Sequence, residues 1–226
     1  MPPNCKKAWH MEFPFKAVLF DMDGTITDTT RLHDAAWDEF ARAHTGQGVN
    51  PGDPRLVPGR TIDVVRAILG RPVQGAEAKK LHDDKEQRFH TLARGKLTTL
   101  PGFARYRRWL RMRHIPVALV TNAPRINIDF TLYELQLEYD FDLILGAEDT
   151  ERGKPHPDPF LEACKRLKVA PQDTLVHEDS ALGIAAGVAA GCKVAAILTG
   201  ISPAAARSAG AKWSTDNFEQ WLAQIN

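Results

Sequence analysis

Short apolar runs alternate with helical stretches along most of this chain, and few folds accommodate that alternation. The runs lie at Ala17–Phe20, 116–120, 141–145, 174–176 and 193–198. Each reads as a short, fully buried strand rather than one half exposed to water. Helical patterns cover 102–112, 126–135, 159–167 and 181–190. Asp158 is the expected cap of the third of these, with Pro159 in its first turn. Strands that alternate with helices imply an α/β fold: a parallel sheet with helices on both faces.

One block breaks the alternation. Residues 29–95 hold no strand candidate. Thr29 or Thr30 can cap a helix whose apolar positions include Leu32, Ala36, Trp37, Phe40 and Ala41. Glycines and prolines from Gly46 to Pro54 then form a loop. Thr61 can cap a second helix through Val64, Val65, Ile68 and Leu69, and a charged third helix runs over 75–93. The expected organisation is a polar N-terminal extension (1–15), an α/β core (16–28 and 96–226) and an α-helical cap domain inserted at 29–95.

The chemistry gathers at strand exits. Ala17–Phe20 is followed at once by Asp21-Met22-Asp23-Gly24. Residues two apart in extended chain point the same way, so Asp21 and Asp23 should converge above the sheet, with Gly24 turning the backbone away. Carboxyl ends of strands are where open α/β sheets bind ligands. Paired carboxylates there repel and call for a hard cation such as Mg²⁺. Thr121-Asn122 follow the run 116–120, Lys154 lies in a proline-stiffened loop, and Glu178-Asp179 follow 174–176. Each alone is an ordinary turn or helix cap; together, in this order, they read as one site.

This quartet resembles the haloacid dehalogenase-like superfamily of phosphohydrolases, helical-cap subgroup, over about Lys16 to Trp213. Within it the sequence is similar to sugar-phosphate phosphatases and β-phosphoglucomutase. The stretches Val120-Thr121-Asn122-Ala123-Pro124-Arg125 and Ser180-Ala181-Leu182-Gly183-Ile184 look most like plant-type sugar phosphatases. The resemblance implies a Rossmann-like core. It makes Asp21 the nucleophile that takes the phosphoryl group and Asp23 the general acid and base. It also implies Mg²⁺ held by an Asp21 oxygen, the Asp23 carbonyl and Asp179, with Glu178 alongside. Thr121, Asn122 and Lys154 would bind phosphoryl oxygens. Charge neutralisation by the metal and Lys154 is what a carboxylate needs to attack an anionic phosphoryl group. Asp23, with an ordinary pKa of about 3.9, would have to be raised to serve as the acid. A dehalogenase needs neither Asp23 nor Mg²⁺, so this set favours phosphate chemistry.

Thr29, His33, Arg60 and Lys85 are the candidates on the inserted helices. His33 and Lys85 resemble a cap histidine and a cap lysine of β-phosphoglucomutase; Arg60 falls at a different offset from its glycine. All could equally be solvated polar residues. The implied activity is hydrolysis of a small phosphorylated metabolite, a sugar or polyol phosphate. A phosphoglucomutase-like isomerase and a catalytically silent binding protein are the alternatives.

Composition adds mainly exclusions. A formal net charge of +1, with 43% hydrophobic and 25% charged residues, gives no global drive towards nucleic acid or anionic membranes. Cys5, Cys164 and Cys192 lie far apart with no metal-type spacing, which suits a reducing compartment. No apolar signal or membrane-length segment is evident, so a cytoplasmic protein is expected, most simply a monomer. The basic, aromatic run 105–113 fits an amphipathic helix better than a nucleic-acid surface. Gly183, Gly187 and Gly191 fit close helix–sheet packing.

Overall fold

The computed structural model describes residues 13–56 and 59–225. Its centre is a six-stranded, wholly parallel sheet in the order β3-β2-β1-β4-β5-β6, the doubly wound Rossmann order. The strands are β1 (Ala17–Phe20), β2 (Val117–Val120), β3 (Leu143–Leu145), β4 (Thr174–Glu178), β5 (Lys193–Ile197) and β6 (Trp213–Thr215). Both β1 and β2 are buried at every position, as their unbroken apolar sequences require. Side-chain alternation divides the core in two. Val18 and Phe20 face a cluster with α4 (Phe103–Met112), α5 (Arg125–Leu135) and α9 (Phe218–Ile225). Leu19 faces the opposite cluster with α6 (Asp158–Leu167), α7 (Ala181–Ala189) and α8 (Pro203–Ser208).

Between β1 and α4 lie α1 (Thr30–Thr45), α2 (Thr61–Leu69) and α3 (Gly75–Ala93). They build an apolar cluster of their own from Trp37, Phe40, Val64, Val65, Ile68 and Leu81. A smaller cluster of Ala36, Phe89 and Ala93, with Phe130 against it, joins them to α5.

Several elements depart from the sequence expectations. The third strand is shorter than 141–145; just before it, Asp142 N–H donates to Val117 O at 2.9 Å and the Asp142 side chain accepts from Val117 N–H at 2.8 Å. The fourth is longer and ends on Glu178, so that acid is part of the strand itself. Pro157, not Asp158, holds the cap position of α6. α8, β6 and α9 had no counterpart in the pattern. Residues 1–12 of the expected extension lie outside the described residues, whereas Phe13 and Phe15 pack edge-on against Trp109 and Trp213, at 4.9 and 5.9 Å. In the basic run, Tyr106 and Trp109 turn inward, Arg107 donates to Asp140 O, and Arg113 lies over Trp109. Cys164 and Cys192, distant in sequence, are buried free thiols with Sγ atoms 3.9 Å apart. Among the described residues no helix is long and apolar enough to cross a membrane.

Phe20 is the hub of one face. Its ring stacks on His177 at 5.2 Å and meets Phe103, Tyr106 and Phe218 edge-on. Phe20→Ala should cost about 3–5 kcal/mol of stability in urea unfolding, the range for truncating a buried aromatic; a cost below about 1 kcal/mol would show that this cluster does not hold the sheet.

Candidate active site

β1 lies beside both β2 and β4, where strand order reverses, and a crevice opens at their carboxyl ends. The ladder carries on one step past β1, with Asp21 N–H donating to His177 O at 3.0 Å. This fixes the Asp21 carboxylate beside the end of β4. Lys154, carried in on the loop after β3, closes the site. Its Nζ donates to Asp21 Oδ1 at 2.6 Å, to Glu178 Oε1 at 2.5 Å and to Val120 O at 2.7 Å. Burial opposes the lysine charge, but Asp21 and Glu178 outweigh it and hold the ammonium above its ordinary range. The lysine's backbone is clamped too. Asn122 Oδ1 accepts from Lys154 N–H at 2.9 Å, and its Nδ2 donates to Lys154 O at 3.1 Å. Asn122 therefore places the lysine with its side chain, a role the sequence did not suggest. Thr121 is buried, and its Oγ1 accepts from Ala123 N–H.

Both Glu178 oxygens are engaged. Oε1 meets Lys154, and Oε2 accepts from Asp179 N–H, Ser180 N–H and Ser180 Oγ. A Cβ on Gly183 would overlap this carboxylate, so glycine is what lets α7 begin directly over it. Asp179 is the opposite case: among the described residues no donor reaches its carboxylate. Burial, then Glu178 and Asp21, push its carboxyl well above the usual range. Burial likewise raises Asp21, against the pull of Lys154. One oxygen each from Asp21, Glu178 and Asp179 lie within 4.8 Å of one another. Three carboxylates thus share one ammonium, and an all-oxygen donor set with negative charge to spare suits a hard divalent cation. Gly24 takes φ +78°, and any side chain there would strike the Asp179 carboxylate.

The charge of Asp23 bears on both Asp21 and Asp179. Asp23 lines the same cavity but faces the inserted helices. Its Oδ1 accepts from Thr29 Oγ1 at 2.6 Å and meets His33 Nε2 at 3.3 Å. Thr29 holds the cap position of α1, where it makes no side-chain cap bond and instead donates its hydroxyl to Asp23. Burial pushes the Asp23 carboxyl up, but His33, Thr29 and Lys85 outweigh it and hold it below the ordinary value. The expected upward shift is thus reversed in the free protein.

His33 stacks on Phe89 at 3.9 Å, and its Nδ1 lies 3.0 Å from Lys85 Nζ. An ammonium can only donate, so this bond network puts the ring proton on Nε2, directed at Asp23. Lys85 is buried, sits 4.7 Å over the Trp37 ring and pairs with Glu86 Oε2 at 2.9 Å. Glu86, fully buried, also accepts from Thr61 Oγ1 and from Asn127 Nδ2, both at 2.6 Å. Asn127 Oδ1 in turn meets His90 Nε2 at 2.8 Å. Glu86, Asn127 and His90 form a polar tie between α3 and α5 that no motif announces. Arg60 is the outlier. Its guanidinium donates to the carbonyls of Thr150 and Glu151, fastening the insert to the β3–α6 loop, and it does not line the cavity.

Residues 15–191 match the family model for haloacid dehalogenase-like hydrolases, and the chain belongs to that family. It is 34% identical over 184 residues to the bifunctional riboflavin kinase/FMN phosphatase of Arabidopsis thaliana, which covers 80% of this chain but only 48% of that protein. It is 34% identical over 188 residues to the β-phosphoglucomutase of Bacillus subtilis, covering 78% of this chain and 80% of the relative. A solved structure of a family IA, variant 3 hydrolase from Entamoeba histolytica superposes with a TM-score of 0.84 at 26% identity, over 93% of this chain and 98% of that one.

A carboxylate without a donor destabilises the metal-free protein. Asp179→Asn should stabilise the chelator-treated protein by about 0.5–2 kcal/mol and abolish any rise in melting temperature on adding Mg²⁺. Thermal unfolding with and without Mg²⁺ checks both; a variant still stabilised by Mg²⁺ would remove Asp179 from the metal site.

Proposed function

We propose that the protein is a phosphoric monoester hydrolase, Mg²⁺-dependent, that releases phosphate from small sugar or polyol phosphates through an aspartyl phosphate on Asp21. One observation carries this reading: Asp21 lines a cavity, bound to a buried lysine, beside Thr121 and an Asp179 whose carboxylate has no donor among the described residues. A dehalogenating role has no use for Asp23 or for surplus carboxylates. A silent binding protein would have no physical need for the complete set.

The chemistry follows from where the groups sit. Asp21, Asp179 and the Asp23 carbonyl would hold Mg²⁺, with Glu178 alongside, and the ion would supply charge neutralisation for the phosphoryl oxygens. Thr121 and the backbone N–H of Asn122 would bind those oxygens, and Lys154, held by Asp21, Glu178 and Val120 O, would offset their charge. An Asp21 oxygen attacks phosphorus, the bond from phosphorus to the leaving oxygen breaks, and that oxygen takes the proton of Asp23. Asp23 then removes a proton from water, water attacks phosphorus, and the Asp21–phosphorus bond breaks to release phosphate. Asp23 is thereby reprotonated for the next cycle. In the free protein His33 and Thr29 favour its ionised form; a dianionic phosphate set beside it raises its pKa by like-charge repulsion. His33 and Thr29 therefore hold Asp23 ready as a base, and substrate converts it to an acid.

The β-phosphoglucomutase relative keeps the isomerase alternative in view, but that reaction needs a bisphosphate held by cations on the insert side. His33 and Lys85 there are already paired, and Arg60 does not line the cavity.

Phosphate release from a panel of sugar phosphates, polyol phosphates and FMN should require added Mg²⁺. Asp21→Asn should reduce release to background with the fold intact by circular dichroism, and Asp23→Asn should lower kcat by about 10²–10⁴-fold. Undiminished turnover by Asp21→Asn would overturn the mechanism.

A further inference from the structure

The cavity measures about 650 Å³ and reaches from Asp21 to the inserted helices. Its uncharged lining includes Trp37, Leu56, Thr61 and Val64 from the insert, and Asn127 and Ile201 from the core. The basic residues lining it are Lys154, His33 and Lys85, and each is already matched. Lys154 serves Asp21 and Glu178, His33 bridges Asp23 and Lys85, and the Lys85 charge is offset by Glu86 directly behind it. Of the neighbouring arginines, Arg152 pairs with Asp158, and Arg60, which does not line the cavity, donates its two terminal nitrogens to the carbonyls of Glu151 and Thr150 and keeps an unpartnered Nε.

From this we infer that the site selects monophosphates whose organic part is uncharged, and that Glu86 is the specificity-determining residue that imposes the choice by cancelling Lys85. The inference rests on the hydrolase reading above and deepens it. A second phosphate on the insert side would meet Asp23, with no unmatched cation among the described residues that line the cavity, and like charges brought together in a desolvated site disfavour binding. Glu86 lies outside the cavity wall and touches no substrate; it acts through Lys85. Its other bonds, to Thr61 and Asn127, survive an amide at this position: a glutamine oxygen still accepts from Lys85 and Asn127, and its nitrogen donates to the Thr61 hydroxyl. Glu86→Gln therefore removes the charge while keeping the connections.

The test compares kcat/KM for fructose 1-phosphate with fructose 1,6-bisphosphate, and for glucose 6-phosphate with glucose 1,6-bisphosphate. The expected wild-type preference is at least about tenfold for the monophosphate of each pair. Glu86→Gln should shrink that ratio by about tenfold, and adding Lys85→Met to it should restore the ratio. Each ratio is taken on one preparation, so a loss of folded protein cancels, and a purely structural role for Glu86 would leave it unmoved. Equal efficiency on both members of a pair in the wild type, or an unchanged ratio in Glu86→Gln, overturns the inference while leaving a phosphatase. No release from any of the four compounds overturns the sugar-phosphatase reading, and this inference falls with it.

Discussion

Lys154 is the interaction on which the site depends. A single ammonium, buried among apolar strands, receives its hydrogen-bond partners from the ends of three of them: Asp21 after β1, Val120 O in β2 and Glu178 in β4. Burying such a charge alone would be prohibitive, and burying the two carboxylates alone equally so. Each makes the others tolerable, and the arrangement fixes the three strand ends relative to one another. Asn122 then locks the lysine's backbone, so the cation cannot follow its loop away from the sheet. The remaining excess of negative charge, concentrated on Asp179, is the part the fold leaves for a metal to satisfy. Stability and function pull in opposite directions at that one side chain.

The inserted helices are coupled to the core by polar bonds as much as by apolar contact. Asp23 hands its charge to Thr29 and His33, His33 leans on Lys85, and Lys85 is answered by Glu86, which is tied to Asn127 on α5. A chain of hydrogen bonds therefore runs from the reacting end of the cavity through the insert and back to the core. Arg60 adds a second fastening at the β3–α6 loop that carries Lys154. Any movement of the insert must disturb the environment of Asp23.

What the sequence disclosed, and what it did not, follows from the range of the interactions. Buried parallel strands are read from unbroken apolar runs, and acids at their exits are adjacent in sequence, so the sheet and the residues at its carboxyl edge were legible. The hydrogen bonds of Asp23 to Thr29 and His33 were not, because they join the strand exit to the inserted helices. Glu86 and Asn127 could not be found from pattern: one is a charge on a heavily charged helix, the other an amide near a helix start, and only packing of α3 against α5 joins them. Arg60 misled for the complementary reason. A cation near a glycine loop suggests an anion site, but here backbone carbonyls of a distant loop occupy it. β6 and α9 escaped because Trp213–Thr215 is too short to show a period, though its neighbour Trp221 is among the largest buried side chains.

The central claim is that Asp21 becomes covalently phosphorylated during turnover. Rapid acid quench during turnover of a sugar phosphate labelled at phosphorus, followed by borohydride reduction and peptide mass spectrometry, tests it directly. The account predicts label on the protein during turnover and conversion of residue 21, and no other carboxylate, to homoserine. Steady phosphate release with no label on the protein, or with the modification on a different acid, would contradict it.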